Sequence, residues 1–200
     1  MGRKILGVGG SPREKGNSDA LLTSILSGAR GKGVVTRRVH LRDYDFQSCI
    51  GCEGCRKNGT CTGLNDGMQL LYPKILESRG LALVSPTHNY NVTAWMKAFI
   101  DRLYCFYVFD DERPRGWSSR LACQGRKAVI AAVCEQEDRR DMGFTLEAMR
   151  LPLEALGFEI VGELAVLGIF DRGMVSKRGE TLARASSLGA DLAESLADGR

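Results

Sequence analysis

Arg3-Lys4-Ile5-Leu6-Gly7-Val8-Gly9-Gly10-Ser11-Pro12-Arg13-Glu14-Lys15-Gly16-Asn17-Ser18 runs from a short apolar segment through paired glycines into a polar turn. Behind it Leu21, Leu22, Ile25, Leu26 and Ala29 recur at helical spacing, with Asn17 or Ser18 as the cap and Gly31 and Gly33 as stops. The order strand, loop, helix continues along the chain. A second strand is expected over about residues 34–41, and Leu81-Ala82-Leu83-Val84 and Ala128-Val129-Ile130-Ala131-Ala132-Val133 have the unbroken apolar character of strands buried on both faces. A fifth strand falls over 158–167, and helix faces are marked by Met68/Leu71/Ile75, by Val92/Trp95/Met96/Phe99, by Met142/Leu146/Met149/Leu153 and by Leu182/Ala185/Leu188/Leu192. Five strands alternating with five helices predict a doubly wound α/β fold: an open parallel sheet with helices on both faces and ligands at the carboxyl ends of the strands. The loops to inspect are therefore 10–18, 85–91 and 134–141.

A chain of 200 residues, 44% hydrophobic and 26% charged, is expected to form one domain, 1–200, with a real core. Its net charge of +4 is dispersed, and Arg37-Arg38 and Arg139-Arg140 have polar or acidic neighbours, which reads as a solvated surface and not a nucleic-acid footprint. No apolar segment approaches the ~20 residues of a membrane helix. The start, Met1-Gly2-Arg3-Lys4, precedes an apolar run too short for a signal peptide, and Leu6 stands where myristoylation requires Ser or Thr. A cytoplasmic protein with reduced thiols is expected.

Four of the seven cysteines fall in Cys49-Ile50-Gly51-Cys52-Glu53-Gly54-Cys55-Arg56-Lys57-Asn58-Gly59-Thr60-Cys61, the pattern C-x2-C-x2-C-x5-C. Gly51, Gly54 and Gly59 offer the positive φ that lets such a loop fold its sulfurs onto one centre. Zinc sites usually use two separated C-x2-C knuckles, whereas three steps of this kind suit a cubane, and no second cysteine set exists to take Cys61 elsewhere. The readings rank as [4Fe–4S] cluster, then zinc, then idle thiols or a redox disulfide. Cys105, Cys123 and Cys134 are too dispersed to join the loop and are expected to be buried free thiols.

In the opening turn Pro12 occupies the third glycine position of a dinucleotide fingerprint, and Leu41-Arg42-Asp43 lacks a clear ribose-binding acid. Two readings remain. One is a phosphomonoester site, with Ser11, Asn17 and Ser18 as donors, Arg13 as counter-charge and a helix N-terminus behind them; the other is an ordinary capped turn.

Gly9-Gly10-Ser11-Pro12-Arg13 with Gly16-Asn17-Ser18, and later Ser85-Pro86-Thr87-His88-Asn89-Tyr90-Asn91 leading into Met96-Lys97-Ala98-Phe99-Ile100-Asp101-Arg102, resemble the phosphate and ring loops of flavodoxin-like NAD(P)H-dependent FMN reductases. With the cysteine loop between them the resemblance is to the iron–sulfur flavoprotein branch, over residues 3 to about 103. It implies sheet order 2-1-3-4-5 and FMN held by Ser11, Arg13, Gly16, Asn17 and Ser18 at the phosphate, with Pro86, Thr87, His88, Asn89 and Tyr90 at the ring. Cys49, Cys52, Cys55 and Cys61 would ligate the cluster. It also implies a homodimer or homotetramer in which cluster and flavin of neighbouring subunits meet, with Tyr104, Phe106, Tyr107 and Phe109 as candidate interface residues or, equally, a core-facing helix end. His88 reads as a ring neighbour, a proton carrier or a satisfied loop histidine, and Asn91 as a helix cap. The acidic Cys134-Glu135-Gln136-Glu137-Asp138 departs from the family pattern; it reads either as an acceptor for a protonated ring nitrogen, with Glu135 as the third-loop candidate, or as a charge that repels an NADPH phosphate, and NAD(P)H stays open as a reductant. The activity implied is electron transfer from a donor such as ferredoxin, through cluster and FMN, to a quinone, dioxygen or peroxide. The alternatives are an NAD(P)H-dependent FMN or quinone reductase whose cysteine loop holds zinc or nothing, and a redox-sensing or flavin-carrying protein without turnover.

Overall fold

The computed structural model describes residues 3–197, so the reading of Met1 and Gly2 lies outside the described residues. Five parallel strands, β1 (Lys4–Gly9), β2 (Val35–His40), β3 (Gly80–Pro86), β6 (Arg126–Val133) and β7 (Phe158–Val166), form a sheet in the order β2-β1-β3-β6-β7. Between β3 and β6 the chain inserts an antiparallel hairpin of β4 (Tyr107–Phe109) and β5 (Trp117–Ser119), which the helical spacing of its neighbours did not announce. Without the hairpin the order is the expected 2-1-3-4-5.

Alternation along the central strands sorts side chains between two cores. Leu6, Val8, Leu81, Leu83, Ile130 and Ala132 face a core closed by α3 (Tyr72–Glu77), α4 (Ala94–Arg102) and α5 (Glu147–Ala155). Ile5, Ala82, Val84, Val129, Ala131 and Val133 face the other, under α1 (Asn17–Gly31) and α6 (Gly179–Ser195). At about 25 cal/mol per Å² of apolar surface, burial of these two-sided strands dominates the stability of the sheet. Helices α1 and α6 touch backbone to backbone, since a Cβ on Gly28 would overlap Ser186 O and one on Gly189 would overlap Ile25 O.

Several local expectations change. The face marked by Met68, Leu71 and Ile75 is not one helix: Asp66 caps a 3-10 turn (Gly67–Leu70) by accepting from Met68 N at 3.1 Å, and α3 begins only with Pro73 in its first turn. Thr93, not Asn91, caps α4, its Oγ1 accepting from Met96 N at 3.2 Å. Cys123 is exposed, contrary to the expectation for it, while Cys105 and Cys134 are buried. The charged residues are not all solvated: Arg102 and Arg126 are each 2% exposed. Among the described residues no helix is long and apolar enough to cross a membrane.

Candidate functional site

The turn after β1 is held from behind. Ser11, 4% exposed, closes a small ring in which its Oγ accepts from Arg13 N at 3.2 Å. The carbonyls of Ser11 and Arg13 both accept from Arg42 Nη1, at 3.1 and 3.2 Å. Arg42 is fixed by Asp19, donating to its two carboxylate oxygens at 3.1 and 2.8 Å, and Asp19 Oδ2 also accepts from Lys15 N at 2.8 Å. Carbonyl oxygens, which would repel an anion, are thus tied to a buried ion pair. Gly16 is needed for closeness: a Cβ there would lie 3.3 Å from Arg13 O.

Helix α1 starts at Asn17 behind Gly16 with no side-chain cap, so neither Asn17 nor Ser18 fills the capping role. Its first-turn N–H groups and positive dipole end face the turn. The Asn17 carboxamide is held from the other side, because Nδ2 donates one hydrogen to Asp171 O at 2.9 Å and Oδ1 accepts from Val175 N at 3.0 Å. Its side chain clamps the loop after β7; its backbone N–H and the second Nδ2 hydrogen remain as donors.

Ser11, Arg13, Gly16, Asn17 and Ser18 line one cavity of about 150 Å³ with Pro86, Thr87, His88 and Glu135. Three predicted loops therefore meet at the carboxyl edge of the sheet. Thr87 N donates to Val133 O at 2.7 Å, which stitches the second loop to the end of β6. Asn89 and Tyr90 are not brought into this cavity. They form the tip of a tight turn closed by mutual His88–Asn91 backbone hydrogen bonds at 2.8 and 3.1 Å, with φ of 48° and 63°. The left-handed backbone at a tyrosine is costly and is retained here beside the cavity. Asn91 is spent in this turn, its Oδ1 accepting from Val92 N at 2.8 Å. Sequence reasoning missed Ile169, Phe170 and Arg172, which also line the cavity. They belong to the loop after β7, and the rule that ligands gather at strand carboxyl ends applies to that loop as much as to the three inspected.

Cys49, Cys52, Cys55 and Cys61 line a second concavity of about 260 Å³, with Arg102 and Tyr104 on its wall. Gly51 and Gly59 have positive φ of 67° and 64°, but Gly54 is right-handed and Glu53 takes the left-handed position at 56°. Gly54 is small for another reason: a Cβ there would stand 3.0 Å from Thr62 Oγ1. Gly63 makes room for a thiol, since its Cβ would overlap Cys52 Sγ. All seven cysteines are free. The four sulfurs ring the concavity without converging, and among the described residues no three His, Cys, Asp or Glu side chains are gathered as a site ready for a metal ion. Burial pushes the Cys55 thiol up, with the neighbouring cysteines adding to it, so four thiolates would need compensating positive charge. Arg56 donates to Tyr104 Oη at 2.6 Å and pairs with Glu53 at 2.8 Å. Arg102 is nearer, its Nη2 donating to Cys61 Sγ at 3.4 Å.

Helix α4 joins the two sites. At its start Thr93 Oγ1 donates to Gly10 O at 2.7 Å, and at its end Arg102 reaches Cys61. Nine residues of helix span about 13 Å. Of the aromatic run, Phe106 is a core residue, packed edge-on to Tyr72 with centroids 5.9 Å apart, whereas Tyr104, in the turn after α4, clusters with Tyr107 and Phe109 of the hairpin, beside the exposed Trp117.

A doubly wound sheet with an uncapped helix and a polar turn after its first strand defines the flavodoxin-like class of α/β proteins. Residues 3–168 match the model for NADPH-dependent FMN reductases, and the chain belongs to that family, in its iron–sulfur flavoprotein branch. An iron–sulfur flavoprotein of Archaeoglobus fulgidus is 32% identical over 195 residues, covering 96% of this chain and 80% of that one. One of Methanocaldococcus jannaschii is 34% identical over 99 residues, half of either chain (50% and 51%). In structure, an NAD(P)H:quinone oxidoreductase from Methanothermobacter marburgensis superposes with a TM-score of 0.69 over 96% of this chain and 100% of that one, at 19% identity, which speaks for the fold alone. The chain is a flavin-dependent oxidoreductase.

Proposed function

We propose that the chain holds FMN at the first cavity and a [4Fe–4S] cluster at Cys49, Cys52, Cys55 and Cys61, and carries electrons between a ferredoxin-like donor and a small acceptor such as a quinone, dioxygen or peroxide. The observation that carries this is the pairing of the two cavities by α4, an anion cradle at one end and four thiols with a buried guanidinium at the other. When bound, FMN and the cluster supply one- and two-electron chemistry. The chain does the rest. The amides opening α1, with Ser11 and Arg13, hold the phosphate, while Arg42 keeps the carbonyls of the turn away from it. Pro86, Thr87 and His88 would border the ring, while Asn89 and Tyr90 stand at the tip of the turn, outside the cavity lining. Phe170 offers an aromatic face from the loop after β7, and Arg172 a second cation.

The donor set fits a cluster: four thiols ring a concavity, Gly63 leaves space for one of them, and Arg102 donates to another. Protein purified without oxygen is expected to be brown, with flavin and about four iron and four sulfide per chain. Iron without sulfide, or zinc alone, overturns the assignment. Assembly as a homodimer or homotetramer belongs to the same reading, and sedimentation of the loaded protein tests it; a monomer at micromolar concentration refutes it.

The family's description as NADPH-dependent favours a second reading, direct reduction of the flavin by a pyridine nucleotide. Glu135 and Glu137, both exposed on the third loop, oppose a phosphate-bearing nucleotide there, whereas the charge of Asp138 is offset by Arg140. Rapid bleaching of the flavin by NADPH, unchanged in Cys55→Ala, would establish the second reading over the first.

A further inference from the structure

Arg102 has a more specific part than offsetting thiolate charge. It ends α4 with its side chain 1% exposed, and two anchors hold its guanidinium: Asp66, which accepts from Nη1 at 2.7 Å and from Nη2 at 3.1 Å, and Gln47 O, which accepts from Nη1 at 2.9 Å. A planar guanidinium has two forked edges. Asp66 takes the edge made by Nη1 and Nη2. The remaining Nη2 hydrogen therefore lies on the other edge, beside Nε–H, and it is Nη2 that reaches Cys61 Sγ at 3.4 Å. Nε is buried and has no protein acceptor. A buried donor left without a partner is destabilising, and the fork to which it belongs opens on the cysteine concavity.

We propose that Arg102 is a two-pronged hydrogen-bond donor to the sulfur of the centre held at Cys61 and sets the reduction potential of that centre. The inference rests on the four-cysteine reading above. Hydrogen bonds to ligand sulfur stabilise the more negative, reduced state and so raise the potential. Asp66 carries the opposite charge beside the guanidinium, so the pair is close to neutral as a whole. The tuning comes from the N–H dipoles directed at sulfur. A lysine can keep the ion pair with Asp66 but has no fixed second edge to present.

Arg102→Lys tests the donor with the charge retained, and the double variant Arg102→Met with Asp66→Asn tests it with both charges removed and no carboxylate left buried alone. Iron, sulfide and flavin are counted first. At an ambient potential equal to the wild-type midpoint, the oxidised-to-reduced ratio of the cluster is expected to rise about ten-fold in either loaded variant, equivalent to about 59 mV for a one-electron couple. The flavin couple should stay where it was. Wild-type protein assembled in D2O should show a shifted Fe–Sγ stretch in resonance Raman spectra, and this shift should disappear in the variants. An unchanged ratio in a loaded variant, or a wild-type Fe–Sγ stretch insensitive to D2O, overturns the assignment of Arg102. Wild-type protein that holds flavin but neither iron nor sulfide overturns the cluster reading instead, and the role of Arg102 with it.

Discussion

Asp19→Asn asks whether the ion pair behind the first turn shapes the cavity in front of it. The substitution keeps the volume and removes the charge that pairs Arg42, whose side chain is 10% exposed against 11% for Asp19. Breaking a buried pair from one side costs about 3–5 kcal/mol, and the residual exposure places this case near the lower end, at about 3 kcal/mol. For a chain of this size each kcal/mol moves the melting temperature by about 2–4 °C, so a drop of about 6–12 °C is expected by circular dichroism. The turn loses the carboxylate that accepts from Lys15 N, and Arg42 loses its orientation toward Ser11 O and Arg13 O. A carbonyl freed to face the phosphate, or one charged hydrogen bond lost there, is worth about 1.5–3 kcal/mol, a ten- to hundred-fold weaker Kd for FMN. Riboflavin has no phosphate, and its affinity should hold. Combining Asp19→Asn with Arg42→Met should restore much of the stability by leaving no charge alone, without restoring the preference for FMN. An Asp19→Asn protein that melts within about 1 °C of wild type and keeps the same ratio of FMN to riboflavin affinity would refute the scaffold role.

The other predictions concern neighbouring groups. Burial lowers the pKa of His40 from its ordinary 6.5; Asp19, 3.3 Å away, works against this but does not outweigh it, while Arg42 and Arg38 add to the lowering and Asp43 opposes it. The unfolded chain then takes up a proton that the folded one refuses, so the contribution of His40 is complete above pH 6.5 and is lost as pH falls toward the folded pKa; His40→Gln should flatten the slope of stability against pH in that window, as measured by urea titration. Gly63→Ala forces Cys52 to move, and iron content should fall while the far-UV spectrum and flavin content do not. Thr93→Val removes both the cap of α4 and the donor to Gly10 O, at 2% exposure, so a loss of about 1–3 kcal/mol and a melting temperature lower by about 2–12 °C are expected.

What could be read before the structure was whatever period or spacing encodes. The two-sided apolar runs of β3 and β6 announce central parallel strands, and the cysteine spacing announces a common concavity for all four thiols. Elements whose stability comes from distant partners were not legible. Arg42, Arg102 and Arg126 look like ordinary surface charge in sequence, yet each is enclosed by groups far along the chain: Asp19, Asp66, and the carbonyls of Ile75 and Ser78. Asn17 is a residue type that favours capping, but its carboxamide has better partners in the loop 171–175. Gly54 is the residue type expected at a left-handed position, yet the left-handed residue is its neighbour Glu53. The hairpin β4–β5 escaped because two three-residue strands carry too few positions for a period of two to register.

The helix pair α1–α6 has one further consequence. Asn17 meets 171–175, Ser24 Oγ donates to Leu182 O at 2.7 Å, and the Gly28 backbone seats on Ser186. These ties run along about 16 Å of α1, from residue 17 to residue 28. Two of them bind α1 to α6, one without side chains to compress, and the third binds α1 to the loop after β7, so α1 is a firm wall for the first cavity. The carboxamide of one asparagine thus fastens the loop after β7, whose Ile169, Phe170 and Arg172 line the cavity, to the helix whose first turn forms the opposite wall.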